Sequence, residues 1–370
     1  MKLKNHNVLF FTRTMKLGGT EHVVLQLCEI LQPLVNNVVV CSCGGINTPV
    51  LEEMGIKHYK IPDIENKSVK TIFEVCKTIK RIVKKENISV IHTHHRMAAF
   101  YVALLGLYKK CAFLNTSHNT FENKRVLTRF AYRHACLIAC GEMVKKNLVD
   151  FFGVPDQQVK VIHNAVKPFK SGVMVDSLVA KLHGNNYFVI GNVGRLSEQK
   201  GMEYYIKAVP DVIKIHPEAR FLIIGNGEDE EKLKKLVSEL QLEGYIFFMG
   251  YRTDVQNIMS QIDMVVLSSL WEGLPLTPIE AFSVGRTIVA TAVDGTVEIV
   301  EDGKSGLLIK PRMPEQIVEK IVWMIEHPVE RRQMETAAKE RFTTEFSFEL
   351  LASKYVWEYE KLNSYDRGVK

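Results

Sequence analysis

The chain has 370 residues, of which 46% are hydrophobic and 24% charged, a globular composition too long for one ordinary core. Its seven cysteines lack the repeated C-x-x-C spacing of a zinc site, which favours a reducing cytoplasm. The longest nearly apolar stretch, residues 97–108, falls short of the roughly 18 residues of a membrane span, and the apolar run near the N-terminus is too short for a signal peptide.

Charge is unevenly spread along the chain. Residues 1–170 carry 25 Lys and Arg against 12 Asp and Glu, whereas the remaining residues carry 23 against 30. This asymmetry indicates that the first half meets an anionic surface, either a membrane or a nucleic acid, although a solvated surface without a partner is the alternative. Nucleic acid is disfavoured, because the basic segments lack interleaved aromatic residues or a reading motif. The basic residues concentrate on two predicted helices, as Lys77, Lys80, Arg81, Lys84 and Lys85, and as Lys124, Arg125, Arg129 and Arg133.

The first half of the chain alternates short apolar runs with amphipathic segments of helical periodicity. The runs predict buried strands at 7–11, 37–42, 90–94, 112–117 and 137–141. This βαβα order predicts a parallel sheet with helices on both faces.

The pattern weakens over residues 167–186 and then restarts. Further strands are predicted at 187–194, 220–227, 246–250, 264–269 and 286–291. The fold class is therefore α/β, with two doubly wound domains. We predict a first domain over 1–170, a linker over 171–186 and a second domain over 187–345, and ligands beyond the carboxyl ends of the strands.

The stretch "EGLPLTPIE" (272–280) sets two carboxylates around a helix start. Thr277 can cap this helix and Glu280 can complete a capping box, whereas no cap requires Glu272. The backbone N–H groups near Leu276 and Thr277 suit a phosphate, which would need cations from elsewhere because of the two acids.

Cations are supplied by "GRLSEQKG" (194–201), where Arg195 and Lys200 follow a predicted strand. A guanidinium fork and an ammonium suit two linked phosphates, although a lone Arg and Lys in a loop are usually just solvated. In the first half, "MKLGGTE" (15–21) follows the first strand, and Gly18 and Gly19 would let backbone approach a ligand closely.

Three histidines, His92, His94 and His95, end a predicted strand in "IHTHHR". A metal site is one interpretation, but contact with a substrate or plain packing is favoured over it.

The combination of "GGTE", "SHNT", "HNAV", "GRLSEQKG", "GNGE" and "EGLPLTPIEAFSVGRTIVAT", in this order along the whole chain, resembles family 4 of the retaining glycosyltransferases, of the bacterial polysaccharide-biosynthesis type. The resemblance implies the GT-B fold, in which two Rossmann-like domains face each other across a cleft. It also implies that a C-terminal helix, residues 346–370, packs back on the first domain, which would bind the acceptor.

The resemblance also assigns roles to individual residues. Arg195 and Lys200 would grip the diphosphate of a nucleotide sugar, with Gly19 closing over it. Glu272 would bind hydroxyls of the transferred sugar, and His118 would contact that sugar beside the leaving oxygen. The remaining donor contacts would be Glu280 with the ribose hydroxyls, backbone near Arg252 with the base, and Leu276 and Thr277 at the helix start.

The expected reaction moves a sugar, with retention, from a UDP-linked hexose or N-acetylhexosamine to a hydroxyl of a saccharide or lipid-linked acceptor in cell-surface polysaccharide synthesis. GDP-mannose is the competing donor. No metal or other cofactor is expected, because Arg195, Lys200 and helix N–H groups would stabilise the departing diphosphate. The protein is expected in the cytoplasm, with peripheral contact to the anionic inner face of the cell membrane through its basic helices and no nucleic-acid partner.

Four other functions stay open at this point. A sugar-nucleotide epimerase would turn over the donor alone, and a donor-binding protein could keep the fold without turnover. A phosphorylase of this fold needs a longer chain, and a glycosidase has paired acids but no use for cations that grip a diphosphate.

Overall fold

The computed structural model describes residues 3–169, 172 and 174–365, with side chains through Leu362. The chain divides into two compact units. The first comprises the residues up to Asn164 together with those from Glu349 onward, and the second is Ala165–Phe348.

The first unit contains a seven-stranded sheet in which every pair of neighbours is parallel. Its strands are β1 (Asn7–Phe11), β2 (Asn37–Ser42), β3 (Lys57–Lys60), β4 (Val90–Thr93), β5 (Ala112–Ser117), β6 (Cys136–Ala139) and β7 (Val159–Val161), in the order β3-β2-β1-β4-β5-β6-β7. Chain order therefore reverses between β1 and β4, which makes this the point where such sheets bind ligands.

Six helices connect these strands. They are α1 (Gly19–Leu31), α2 (Thr48–Glu53), α3 (Val69–Lys85), α4 (Arg96–Leu104), α5 (Arg125–Tyr132) and α6 (Glu142–Lys146). Helix α3 shows how the sequence sets their ends: Ser68 accepts a hydrogen bond from the Thr71 N–H at 3.2 Å, and the buried Val75, Ile79 and Ile82 recur at helical spacing.

The second unit contains a six-stranded parallel sheet. Its strands are β8 (Phe188–Val193), β9 (Ala219–Ile224), β10 (Ile246–Gly250), β11 (Met264–Leu267), β12 (Ile288–Thr291) and β13 (Leu307–Ile309), in the order β10-β9-β8-β11-β12-β13. Chain order reverses between β8 and β11. The loops that follow these two strands therefore lie side by side at the carboxyl edge of the sheet.

Among the described residues, eight α-helices belong to this unit and one returns to the first. They are α7 (Ser177–Gly184), α8 (Met202–Ile215), α9 (Glu230–Glu239), α10 (Val255–Gln261), α11 (Leu276–Ser283), α12 (Thr296–Ile299), α13 (Pro314–Glu326), α14 (Pro328–Glu345) and then α15 (Phe348–Tyr365). Helix α7 lies inside the stretch that the sequence suggested as a linker. Residues 366–370 of the expected C-terminal helix lie outside the described residues.

Helix α15 completes the first unit through two buried tyrosines. The Tyr359 hydroxyl lies 2.8 Å from Nδ1 of His92 on β4, and the Tyr355 hydroxyl lies 3.1 Å from Oγ1 of Thr116 on β5. Both tyrosine side chains are fully buried. Of the helices that the structure describes, none is at once long and apolar enough to cross a membrane.

Candidate active site

The central pair of the candidate site joins the two loops at the switch point of the second unit. Nζ of Lys200, in the loop after β8, lies 2.5 Å from Oε1 of Glu272, in the loop after β11. The backbone binds the same loops together, since the Leu270 N–H donates to the Gln199 carbonyl at 2.8 Å and the Ser268 hydroxyl donates to the Lys200 carbonyl at 3.0 Å. Glu272 is only 6% exposed, so its charge is paired where water has little access.

Two further residues orient Glu272. The buried Ser269 hydroxyl donates to Oε1 of Glu272 at 2.6 Å, and Oδ2 of Asp294 accepts from the Glu272 N–H at 2.8 Å. Oε1 of Glu272 thus accepts hydrogen bonds from both the ammonium of Lys200 and the hydroxyl of Ser269. The sequence analysis did not predict the roles of Ser269 and Asp294, because a polar residue near the end of a strand is too common to indicate a site.

Close backbone packing explains two of the glycines in this region. Gly201 has φ +56°, and a Cβ there would lie 2.2 Å from the Ser268 carbonyl oxygen. Gly225, in the "GNGE" turn after β9, has φ +140°, and a Cβ there would lie 2.0 Å from the Gly194 carbonyl oxygen. A side chain at Gly201 would push the loop of Lys200 away from the loop of Glu272, and one at Gly225 would push the turn after β9 away from the loop of Arg195 and Lys200.

The start of α11 differs from the capping box that the sequence suggested. The helix begins at Leu276 after Pro275, no side chain caps it, and the hydroxyl of Thr277 donates instead to the Val193 carbonyl at 3.3 Å. Since Thr277 is already inside the helix, Glu280 stands too far along to close a capping box, and that interpretation is wrong. The first N–H groups of α11, at Leu276 and Thr277, therefore suit an anion rather than a side-chain cap.

Glu280 lies on α11 and its side chain is partly buried. Burial raises the pKa of Glu280 to about 7, and the positive charge of Lys200 opposes this rise. Near neutral pH this carboxyl group is therefore divided between its neutral and ionised forms, unlike an ordinary surface glutamate.

Two arginines of the predicted site have different environments. Arg195 is exposed in the loop after β8, five positions before Lys200. Arg252 is committed to carboxylates, with Nε 2.8 Å and Nη2 2.9 Å from Asp254 and Nη1 3.0 Å from Asp176. This arginine holds the pKa of Asp254 down at about 2, and Asp176 caps α7 through the Leu178 and Val179 N–H groups. Through Asp176, the Arg252 side chain thus links the start of α7 to the loop that precedes α10.

The first unit contributes Gly19 and His118 to the predicted set. Gly19 is the exposed first residue of α1, directly after the end of the β1 loop. His118 follows β5, and its Nε2 lies 3.0 Å from Nδ1 of His94. Burial lowers the pKa of His118 to about 4, so this ring is neutral at physiological pH.

The strand-end histidines each have protein partners. His92 contacts Tyr359 and Thr116, and His95 accepts the Met97 N–H at the start of α4. Across the described residues, no three or more His, Cys, Asp or Glu side chains are grouped so as to hold a metal ion.

Comparison with known families divides the chain as the two sheets do. The model described as "Glycosyltransferase Family 4" matches residues 17–168, and that described as "Glycosyl transferases group 1" matches residues 177–341. The chain belongs to glycosyltransferase family 4. This glycosyltransferase has the GT-B fold, which it shares with the Anabaena protein HepE in complex with UDP, at a TM-score of 0.80 and 21% identity over 97% of this chain and 100% of that one.

Two curated relatives illustrate the range of the family. An uncharacterised glycosyltransferase of Methanocaldococcus jannaschii is 25% identical over 64% of this chain and 66% of its own length. The UDP-Gal:alpha-D-GlcNAc-diphosphoundecaprenol alpha-1,3-galactosyltransferase of Escherichia coli is 27% identical over 80% of this chain and 81% of its own length.

Proposed function

We propose that this glycosyltransferase transfers a sugar from a nucleoside diphosphate sugar to an acceptor hydroxyl, at the switch point of the second unit. The observation that carries the proposal is the ion pair of Lys200 with the buried Glu272, beside the uncapped start of α11. The ammonium of Lys200 and the N–H groups at the start of α11 can bind an anion. Beside them, the carboxylate of Glu272 can accept hydrogen bonds from sugar hydroxyls.

The chemistry follows from how charge separates when the bond between sugar and diphosphate breaks. Positive charge develops on the sugar ring and negative charge on the leaving phosphate. Lys200, Arg195 and the N–H groups of Leu276 and Thr277 would stabilise the leaving group, an effect of roughly 3 to 4 kcal/mol per preorganised donor. Because fixed protein charges take this role, we propose a reaction that needs no metal ion.

The carboxylates would serve the two ends of the donor. Glu272, oriented by Ser269 and Asp294, would accept hydroxyls of the transferred sugar, and Glu280 would accept those of the ribose. Backbone near Arg252 would hold the base, Gly19 would close over the diphosphate, and His118 would contact the sugar.

We propose retention of the anomeric configuration through attack by the acceptor on the face that the diphosphate leaves. Glu272 is engaged by an ammonium and a hydroxyl at the same oxygen, which suits a positioning carboxylate better than a nucleophile. Proton NMR of the product would test this, since an inverted anomeric linkage would contradict it.

A UDP-linked hexose or N-acetylhexosamine is the proposed donor, and a lipid-linked or saccharide hydroxyl in cell-surface polysaccharide synthesis is the proposed acceptor. The E. coli relative is named for UDP-galactose and a diphosphoundecaprenol acceptor. The structure of HepE holds UDP, and a Staphylococcus aureus relative is named as a poly(ribitol-phosphate) alpha-N-acetylglucosaminyltransferase.

The decisive experiment screens UDP-linked and GDP-linked sugars for thermal stabilisation, then incubates the best donor with and without undecaprenyl diphosphate saccharides. Sugar transfer that needs the acceptor and persists in EDTA is the expected result. Turnover of the donor alone to a new sugar nucleotide would indicate an epimerase, and stabilisation without any turnover would indicate a binding protein. Loss of transfer in EDTA would contradict the metal-independent reaction.

We further propose that the cytoplasmic enzyme contacts the anionic inner face of the cell membrane through its first unit. Helix α5 exposes Val126 (83%) and Phe130 (45%) among the exposed cations Lys124, Arg125, Arg129 and Arg133. Apolar side chains that can enter the headgroup region, surrounded by cations, suit an anionic bilayer.

A further inference from the structure

Two arginines of α5 converge on a glycine within the first unit. Arg125 and Arg129 are exposed and lie one helical turn apart on α5. A Cβ built at Gly153, in the segment between α6 and β7, would lie 3.8 Å from Nη2 of Arg125 and 3.7 Å from Nη1 of Arg129. Beyond the chain neighbours of Gly153, the atoms nearest to that Cβ all belong to these two side chains. The two guanidinium groups therefore face one point, which the glycine leaves unfilled.

The two guanidinium groups lack a counter-charge from the protein. Arg13 shows the usual arrangement in this unit, with Nη2 2.8 Å from a carboxylate oxygen of Asp63. Within the described part of the chain, by contrast, neither Arg125 nor Arg129 has a carboxylate as an ion-pair partner. Like charges four positions apart repel each other and weaken a helix. The stability of α5 therefore does not explain this pair, whereas an anion from outside the chain would relieve the repulsion.

The chemistry of the pair suits a phosphate group. A guanidinium group presents its N–H donors in a planar fork that matches phosphate oxygens. One Nη nitrogen of each arginine lies within 3.8 Å of the same point, so a single phosphate group there can accept hydrogen bonds from both. The next residues along the helix, Val126 and Phe130, are 83% and 45% exposed. A phosphate that is joined to an apolar chain, as in a phospholipid, matches both features.

We propose that Arg125 and Arg129 form, over Gly153, a binding site for the headgroup phosphate of an anionic phospholipid. This inference rests on the proposed membrane contact of the first unit and deepens it, because it replaces the general attraction of a basic surface by one defined site. With the phosphate held there, Val126 and Phe130 are placed to enter the apolar part of the same leaflet.

Sedimentation of the intact enzyme with phosphatidylcholine vesicles that contain phosphatidylglycerol tests the site. Arg125→Lys/Arg129→Lys keeps both charges but loses the planar forks, so we expect binding to weaken about 5- to 10-fold. Arg125→Gln/Arg129→Gln should weaken it about tenfold more than the matched control, Lys124→Gln/Arg133→Gln, which removes the same charge from the exposed ends of the same helix. Equal losses in the two glutamine pairs, or unchanged binding in the lysine pair, would overturn the site.

Substitution of Gly153 tests where the phosphate lies. Gly153 has φ +68°, a conformation that Asp and Asn tolerate better than most other side chains. Gly153→Asp would place a carboxylate between the two guanidinium groups, and Gly153→Asn is the matched control without the charge. We expect Gly153→Asp to weaken vesicle binding about tenfold more than Gly153→Asn. Equal binding by the two variants would contradict a phosphate at this point.

A soluble phosphate is distinguished from a lipid by thermal denaturation with inorganic phosphate and no vesicles. If phosphate stabilised the wild type but not Arg125→Gln/Arg129→Gln, while both bound vesicles equally, the site would take a soluble phosphate and the lipid assignment would be wrong. If the wild type itself did not bind the vesicles, the proposed membrane contact would fail and this site with it. If the wild type bound them and the two glutamine pairs behaved alike, only this site would fail.

Discussion

At the scale of single residues, Lys200 is the first to test, because its ammonium pairs with the carboxylate of Glu272, which water scarcely reaches. Removing the ammonium leaves Glu272 with the hydroxyl of Ser269 and takes away a cation proposed for the leaving diphosphate. We expect Lys200→Ala to lower kcat by about 10²- to 10³-fold, the usual cost of one preorganised donor.

The matched control is Lys207→Ala on α8, where an exposed lysine pairs only loosely with Glu203 at 3.8 Å. Both variants should keep the far-UV circular dichroism spectrum of the wild type. A Lys200→Ala enzyme as fast as the control would remove Lys200 from the active site.

The raised pKa of Glu280 predicts how donor binding depends on pH. Hydroxyls of the ribose donate stronger hydrogen bonds to the ionised carboxylate than to the neutral carboxyl group, and the pKa of about 7 means that the ionised form falls roughly tenfold for each pH unit below 7. We expect the Kd of a nucleotide sugar to rise by up to about tenfold per unit as pH falls below 7 and to level off above pH 8.

Calorimetric titration with an intact nucleotide sugar measures this cleanly, because its diphosphate diester keeps a constant charge over that range. Glu280→Gln should bind more weakly but independently of pH. A wild-type affinity that does not change between pH 5.5 and pH 8 would rule out the ionised carboxylate as a binding group.

Among the structural elements, the loop between β8 and α8 has no room for a side chain at Gly201. Gly201 combines a left-handed backbone with a carbonyl oxygen at the place where a Cβ would stand. We expect Gly201→Ala to destabilise the protein by about 1 to 3 kcal/mol and to reduce transfer as well, since the strain falls between Lys200 and the loop of Glu272.

Gly244→Ala provides the control, because a Cβ at that exposed position would meet no atom within 4 Å. Urea denaturation followed by fluorescence compares the two variants. Equal midpoints for Gly201→Ala and Gly244→Ala would show that the backbone contact to Ser268 does not constrain the loop.

The elements also show what the sequence could predict. Buried parallel strands read as continuous apolar runs, so β1, β2 and β5 were predicted with the bounds that the structure has. The edge strands β3 and β13 were missed, since β3 is "KHYK", with charged side chains that protect an edge, and β13 has only three residues.

The candidate site, like the strands, was predicted from the sequence in part. The loops of Lys200 and Glu272 could be predicted to meet, because topology brings the ends of β8 and β11 together. The capping error at Thr277 and the missed contacts of Ser269 and Asp294 arose because side-chain direction depends on tertiary packing, which residue spacing does not reveal.

At the scale of the whole molecule, charge distinguishes the two units. The first unit carries 27 Lys and Arg against 16 Asp and Glu, and the second carries 21 against 26. Each basic residue near an anionic bilayer contributes about 1 kcal/mol, so the first unit is the one that such a surface should attract.

We therefore expect the enzyme to sediment with anionic vesicles and not with neutral ones, and the binding to weaken as salt is raised. The double variant Val126→Ser/Phe130→Ser should bind about tenfold more weakly, because two apolar side chains no longer enter the bilayer. Val329→Ser is the control, since Val329 is 61% exposed on α14 of the second unit. Equal sedimentation with both kinds of vesicle would contradict the proposed membrane contact.

The hydrogen bonds that α15 makes with β4 and β5 have a consequence for biosynthesis. His92 and Thr116 are synthesised early, but Tyr355 and Tyr359 leave the ribosome only after every residue of the second unit. The unit that begins first is thus finished last. In a nascent chain stalled before α15, we therefore expect the second unit to resist protease and the incomplete first unit to be readily cleaved.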